Sequence, residues 1–259
     1  MLISIVTINY NNNEGLKKTI QSVDKQLYKH IEFLVIDGKS DDGSLNTIKS
    51  YKNIITKYVS EVDDGIYDAM NKGAIVANGD FIIFMNSGDE FFDDKVLQEV
   101  VKHIDDMEKV YFCKVKTIYN NISWLYPSSD VNIVKWLKQN EPNHQGMFFP
   151  KSFYKYNFYN LSYKIAGDAD YKHRALLKQG YYFINIISTV FELGGISSNP
   201  TSFKNILIQI KEVVKIDLIY RKRYITIIVT PIKFLLKFFL NKIGYSRYLK
   251  ILKNIKGYR

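Results

Sequence analysis

The residues best placed to do chemistry lie where apolar runs break off. "FIIFM" (81–85) stops at Asn86-Ser87-Gly88-Asp89-Glu90. "IEFLVI" (31–36) stops at Asp37, with Asp41 and Asp42 just beyond, and "ITKYVS" (55–60) runs into Glu61, Asp63 and Asp64. The first apolar run ends in Asn9-Tyr10-Asn11. Such a set suits a ligand that carries phosphate, provided a divalent cation stands between phosphate and carboxylate. Mn²⁺ or Mg²⁺ fills that place when one or two carboxylates share it with phosphate oxygens. Asp89, on a Ser-Gly elbow, is the residue expected to hold the metal. The competing expectation for it is a solvated turn aspartate.

The elements that must position these groups alternate. Strands are expected at 2–8, 31–37, 55–61 and 80–86, with helices at 14–28, 43–51 and 65–78. Alternation with short connections predicts a parallel sheet with helices on both faces, and such sheets bind ligands at the carboxyl ends of their strands. All four polar clusters fall at those ends. Further on, the pattern predicts a helix at 93–107, strands within 109–126, the stretch "HQGMFFP" (144–150), a helix over Ala169–Gln179 and a strand at 181–188.

Composition narrows the function classes. A lone cysteine, Cys113, leaves no intramolecular disulfide and no cysteine metal cluster. There is no G-x-G-x-x-G after the first strand and no G-x-x-x-x-G-K-[ST], so the usual phosphate cradles are missing. The first residues lack a basic region and cleavage site and read as a strand, not a signal peptide. The net charge of +10 is uneven: from Phe203 onward fourteen Lys/Arg face only Glu212 and Asp217, leaving −2 for the rest. "ISSNPTS" (196–202) marks a boundary before this tail. Within the tail Thr230 is expected as an N-cap and Pro231 as the first helical residue. Lys233, Lys237 and Asn241 then recur between large apolar residues, an amphipathic basic pattern suited to an anionic membrane surface. The other expectation for it is a helix packed on the main domain with its lysines outward. Nucleic-acid binding is disfavoured, because the basic residues are interleaved with large aliphatics at helical spacing.

The series "SIVTINYNN", "VIDGKSDDGS", "EVDDGIYDAMNKGAIVANGDFIIFMNSGDEF" and "HQGMFF…IAGDADYKHRALLKQG" resembles, in order and spacing, the family 2 glycosyltransferases of the GT-A fold, found in bacterial polysaccharide and O-antigen assembly. The resemblance covers residues 2 to about 195. It implies a Rossmann-like, mostly parallel α/β sheet in which residues 1–92 take the nucleotide sugar and 93–202 the acceptor, with 203–259 a separate basic helical tail. It implies that Tyr10 and Asp37 hold the base and ribose of a UDP-sugar donor, with Asp63, Asn71 and Lys72 lining the same pocket. Asp89 matches the last aspartate of the family's metal motif, while Asn86 and Gly88 stand at its earlier acidic positions. Asp168, six residues before Arg174, matches the catalytic base, with Asp170 the alternative and Gly167 in place of the usual preceding acid. His144 and Gln145 fall where relatives meet acceptor or diphosphate. The implied reaction is an inverting, metal-dependent hexosyl transfer to a saccharide or an undecaprenyl-diphosphate-linked saccharide, by a cytoplasmic protein peripheral to the inner face of the membrane. Competing readings are a nucleotidyltransferase, which would need a Gly/Arg/Lys-rich loop where Asn11-Asn12-Asn13-Glu14 stands, and a non-catalytic relative that uses its tail to bind membrane or nucleic acid. Trp124 and Trp136 are expected in the core.

Overall fold

A computed structural model describes residues 1–119, 122–128, 131–193, 202–236 and 238. Nine strands form one sheet. In chain order they are β1 (Ile3–Asn9), β2 (Ile31–Asp37), β3 (Lys57–Ser60), β4 (Phe81–Phe84), β5 (Glu90–Phe91), β6 (Val110–Tyr119), β7 (Ile122–Tyr126), β8 (Met147–Pro150) and β9 (Tyr181–Glu192). The sheet order is β3-β2-β1-β4-β8-β6-β9-β5, with β7 on the other edge of β6. β3, β2, β1 and β4 run parallel. β8 then joins β4 and β6 antiparallel, and β6 runs parallel to β9.

In the parallel half both faces are dry, as the unbroken apolar runs require. Ile3, Ile5, Phe33, Val35, Phe81 and Ile83 face one way. There they meet helices α1 (Asn13–Asp24), α2 (Ser44–Ser50) and α4 (Val96–Lys102). The alternate residues Val6, Ile8, Leu34, Ile36, Ile82 and Phe84 meet α3 (Ile66–Val76), α6 (Lys151–Tyr154) and α7 (Gly167–Gln179). A short α5 (Ile133–Leu137) and a longer α8 (Phe203–Ile216) complete that layer through Ile133, Leu137, Val213 and Ile216. Each fully buried Phe or Ile contributes about 2 kcal/mol of transfer free energy.

Several expectations are corrected. α7 begins at Gly167, two residues early, so Asp168 is not an N-cap: the cap is Ala166, without a side-chain bond. Residues 226–236 are helical, which puts Thr230 and Pro231 inside a helix instead of at its start. Local bonds from Thr226 to Arg223 and from Ile227 to Tyr224 start that helix early. Within the described part of the tail, α8, a π-turn at Asp217–Arg221 and the 226–236 helix follow one another. Lys237, Asn241 and most of the loop at 196–202 lie outside the described residues. Trp124 and Trp136 are only partly buried, Trp136 packing its ring edge against Tyr126, so they are not in the core. Among the described residues no helix is long and apolar enough to cross a membrane.

Candidate active site

The strand ends are tied to each other. Asn9, Asp37 and Ser60 are register partners on β1, β2 and β3. The Asp37 carboxylate, with no exposed surface, accepts from Asn9 Nδ2 (2.8 Å), Ser60 Oγ (2.7 Å) and both the hydroxyl and the amide of Ser40 (2.6 and 3.1 Å). Ser87 Oγ then donates to Asn9 Oδ1 at 2.8 Å. A hydrogen-bonded ladder thus crosses the rim from β3 to the loop after β4. Above it, Gly38 lies between Tyr10 and Asp63. A Cβ on Gly38 would stand 2.6 Å from Asp63 Oδ2 and 3.1 Å from Tyr10 Cδ2. The Tyr10 ring is 67% exposed, a face open for stacking.

The Ser-Gly elbow is fastened down. Buried polar residues of α1 and of the turn after it hold it: Thr19 Oγ1 donates to the Asp89 carbonyl (2.8 Å), Ser22 Oγ accepts from the Phe91 amide, and Gln26, just past the helix, bonds Asp93 and Leu97. Gly88 sits at φ +107°, where a side chain would strain the turn. The Asp89 carboxylate accepts from the Asn86 backbone amide at 2.7 Å, and the Gln145 side chain lies beside it. Burial pushes Asp89 up to about 7, because these neutral donors do not replace the lost water. Beside it the buried Asn86 Oδ1 has no hydrogen-bond partner. One carboxylate short of charge and one orphaned carbonyl oxygen fit a hard divalent cation. Among the described residues no three His, Cys, Asp or Glu side chains converge on a metal-sized site, so phosphate and water would complete the shell.

Asp168 stands in the first turn of α7, 29% exposed. Lys172 Nζ lies 3.1 Å from Asp168 Oδ2, and His144 Nδ1 lies 3.7 Å from the same oxygen. Burial opposes ionisation, but Lys172 and His144 outweigh it and hold Asp168 well below the usual carboxylate range. Lys172 also meets Glu141 (3.5 Å), which takes His173 (3.0 Å) and Arg221 (3.1 Å) as well. The His173 hydrogen bond and the charges of Lys172 and Arg221 overcome burial and bring Glu141 down to about 2. The buried His144 Nε2 has no partner.

The sequence-predicted residues therefore form two groups joined at one point. Tyr10, Asp37, Asp63 and Asp89 lie along the rim. The adjacent residues His144 and Gln145, in the 3₁₀ turn before β8, reach Asp168 with one side chain and Asp89 with the next. Asp170 is occupied by Arg174 Nε (2.9 Å) and Tyr220 Oη (2.7 Å). Asn71 spends both ends of its amide on the Tyr159 backbone, and Lys72 braces the 61–64 loop through Val62, Glu61 and Asp68. Glu141, Lys172, His173 and Arg221 were not anticipated. Lys172 was detectable as the i+4 partner of Asp168 on one helix face. Glu141, in a loop, left no local signal.

A family model described as glycosyl transferase family 2 matches residues 4–180. An uncharacterized glycosyltransferase of Mycobacterium tuberculosis (strain ATCC 25618 / H37Rv) is 32% identical over 206 residues, covering 76% of this chain and 77% of the relative. A PGL/p-HBAD biosynthesis glycosyltransferase of Mycobacterium bovis (strain BCG / Pasteur 1173P2) is 23% identical over 206 residues, 76% of this chain and 79% of its own. Among solved structures, S. aureus TarS 1–349 in complex with UDP-GlcNAc superposes with a TM-score of 0.67 at 17% identity, over 84% of this chain and 67% of TarS. The mannosyltransferase PcManGT of Pyrobaculum calidifontis, in complex with GDP-Man and Mn²⁺, gives 0.62 at 14% identity, over 85% and 64%. The sheet, the rim and the matched residues carry one conclusion: this chain belongs to glycosyl transferase family 2, with the GT-A architecture and a glycosyltransferase activity.

Proposed function

We propose that the chain transfers a hexosyl group from a UDP-sugar, with inversion, to a hydroxyl of a saccharide or undecaprenyl-diphosphate-linked saccharide in surface polysaccharide assembly. The observation that carries this reading is the His144-Gln145 pair, which couples the metal-type carboxylate Asp89 to the base-type carboxylate Asp168. The structural likeness to TarS, described with UDP-GlcNAc, supports a uridine donor, and the likeness to PcManGT, described with Mn²⁺, supports a divalent ion.

Tyr10 and Asp63 receive the base and ribose over the Gly38 notch, while Asp37 holds the floor beneath them. Asp89 and the Asn86 carbonyl oxygen would hold Mn²⁺ or Mg²⁺, which supplies charge neutralisation for the departing diphosphate. Asp168, kept ionised by Lys172 and His144, accepts the acceptor's proton as the oxygen–carbon bond forms. Its low basicity suffices because the hydroxyl grows acidic as that bond develops. The hydroxyl attacks the anomeric carbon opposite the diphosphate, so a single displacement inverts the configuration. Asp168 is assigned over Asp170 because Arg174 and Tyr220 already occupy the latter.

The membrane contact is narrower than the whole tail. Tyr224, Ile225, Ile228 and Ile232 are more than half exposed, and Lys222, Arg223 and Lys233 accompany them. That combination suits the inner, anionic face of a cell membrane.

Thermal shift with UDP, with and without Mn²⁺, on wild type and Asp89→Ala tests the donor reading. UDP at a hundred times its Kd should stabilise wild type by about 2.7 kcal/mol. Asp89→Ala should lose the Mn²⁺-dependent part alone. No shift with any nucleoside diphosphate would sink the proposal.

A further inference from the structure

Between Phe203 and Arg259 only two residues are acidic, Glu212 and Asp217, and both are buried. Acids on a solvated basic tail would have no reason to be inside. The Glu212 carboxylate accepts the three consecutive backbone amides that lead into α7: Lys164 (2.7 Å), Ile165 (3.0 Å) and Ala166 (2.8 Å). Asp168 follows two residues later. The opposite side of the same segment is held by Tyr67, whose hydroxyl donates to the Ile165 carbonyl at 2.7 Å. Tyr67's ring also fills the space beside Gly167, where a Cβ would stand 2.8 Å from it. The segment entering the base helix is thus clamped between a side chain of the matched region and one from beyond it.

Two further contacts from the π-turn after α8 reach the same helix. Tyr220 Oη donates to Asp170 and stacks its ring on His173 at 5.0 Å. Arg221 pairs with Asp217 at 2.7 Å and with Glu141 at 3.1 Å, and Glu141 faces Lys172. Val213, Ile216 and Tyr220 pack into the core behind α7.

We propose that Glu212 is a positioning residue for the reaction, setting the entry of α7 and with it the placement of Asp168, and that Tyr220 and Arg221 complete this latch. The proposal rests on Asp168 being the base. It divides the tail after Arg221: residues 203–221 belong to the reaction machinery, and the exposed apolar residues from Tyr224 to Leu236 are left to meet a membrane. A displacement of about 1 Å in a reacting group costs roughly a hundredfold in rate. Glu212→Gln keeps size and one acceptor oxygen but turns an amide NH₂ toward backbone N–H groups.

The experiment measures UDP release from UDP-N-acetylglucosamine, UDP-glucose and UDP-galactose with Mn²⁺, water serving as acceptor, in four full-length proteins. Glu212→Gln should lower kcat about ten- to a hundredfold with the donor KM within about twofold. The amides of residues 164–166 should exchange faster with solvent deuterium. Tyr220→Phe, which deletes one hydroxyl, should lower kcat about threefold at unchanged KM. An unchanged kcat in Glu212→Gln, or a kcat loss matched by an equal rise in KM, overturns the positioning role. Should Glu212→Gln fail to fold, Tyr220→Phe decides by the same split. Asp168→Asn separates the two readings. Wild-type turnover there removes the base assignment itself, whereas an inactive Asp168→Asn beside a fully active Glu212→Gln removes only the latch.

Discussion

The two carboxylate poles of the site are built on opposite electrostatic plans. On the rim, Asp37 and Asp89 are surrounded by hydroxyls, amides and peptide N–H groups, and Asp89 is held up to about 7. Around α7, Asp168 and Glu141 lie among Lys172, His173, His144 and Arg221, and both are held below their ordinary values. The first pole lacks a cation and the second supplies its own. On the proposed function, a donor that arrives with a metal and a diphosphate would use the first arrangement, because fixed lysines there would compete with the ion for the phosphates. An acceptor that arrives neutral would use the second, since nothing it carries would keep the proposed base ionised.

The comparison can be broken in three places. The largest effect is expected from Asp168→Asn, which should reduce turnover about 10²–10⁴-fold and leave donor binding intact. A mutant equally weak in UDP binding by calorimetry would merge the two poles into one.

Glu141→Gln should come next. It removes the acid that faces Lys172, His173 and Arg221, and the uncompensated charge should cost about 3 kcal/mol in urea unfolding. A loss below about 1 kcal/mol would mean that Asp168 and Asp217 alone satisfy those cations.

The smallest and sharpest test is the pH dependence of metal-free stability. Folding raises Asp89 from 3.8 to about 7, so the folded chain keeps a proton that the unfolded chain sheds. Its contribution is full below about pH 4 and is lost as pH rises through 7. Glu141 runs the other way, contributing above 4.5 and losing its part as pH falls through about 2. Asp89→Asn should flatten the first slope and leave the metal-free protein about 1–2 kcal/mol more stable than wild type at pH 8. Mn²⁺ should reverse that order. Parallel stability curves from pH 4 to 8 would remove the contrast between the poles.

The rim was legible because its elements are local. Strand alternation and a polar residue at each strand end fix β1 to β4 and bring Asn9, Asp37 and Ser60 level, with no long-range information needed. The base pole was legible only at Asp168, His144 and Gln145, through the family resemblance. Its other members come from a loop (Glu141) and from beyond the matched residues (Arg221), and their meeting depends on tertiary packing. β5, two residues long, carries no readable period. α8 did carry a signal: Ser202 caps it, with Ile206, Val213 and Ile216 on the buried side, but the lysines around them read as part of a basic tail for a membrane surface. The sharper clue was the pair of acids in that tail. An isolated acid among many lysines is more informative about burial than the lysines are.

β8 has a consequence for how the molecule assembles. This four-residue strand joins β4 to β6, and so splices the parallel half to a second half built on the pairing of β6 with β9. The turn carrying His144 and Gln145 leads directly into β8. The two poles therefore meet only once both halves have docked. A first half folded alone would present the rim without the residues of the second pole.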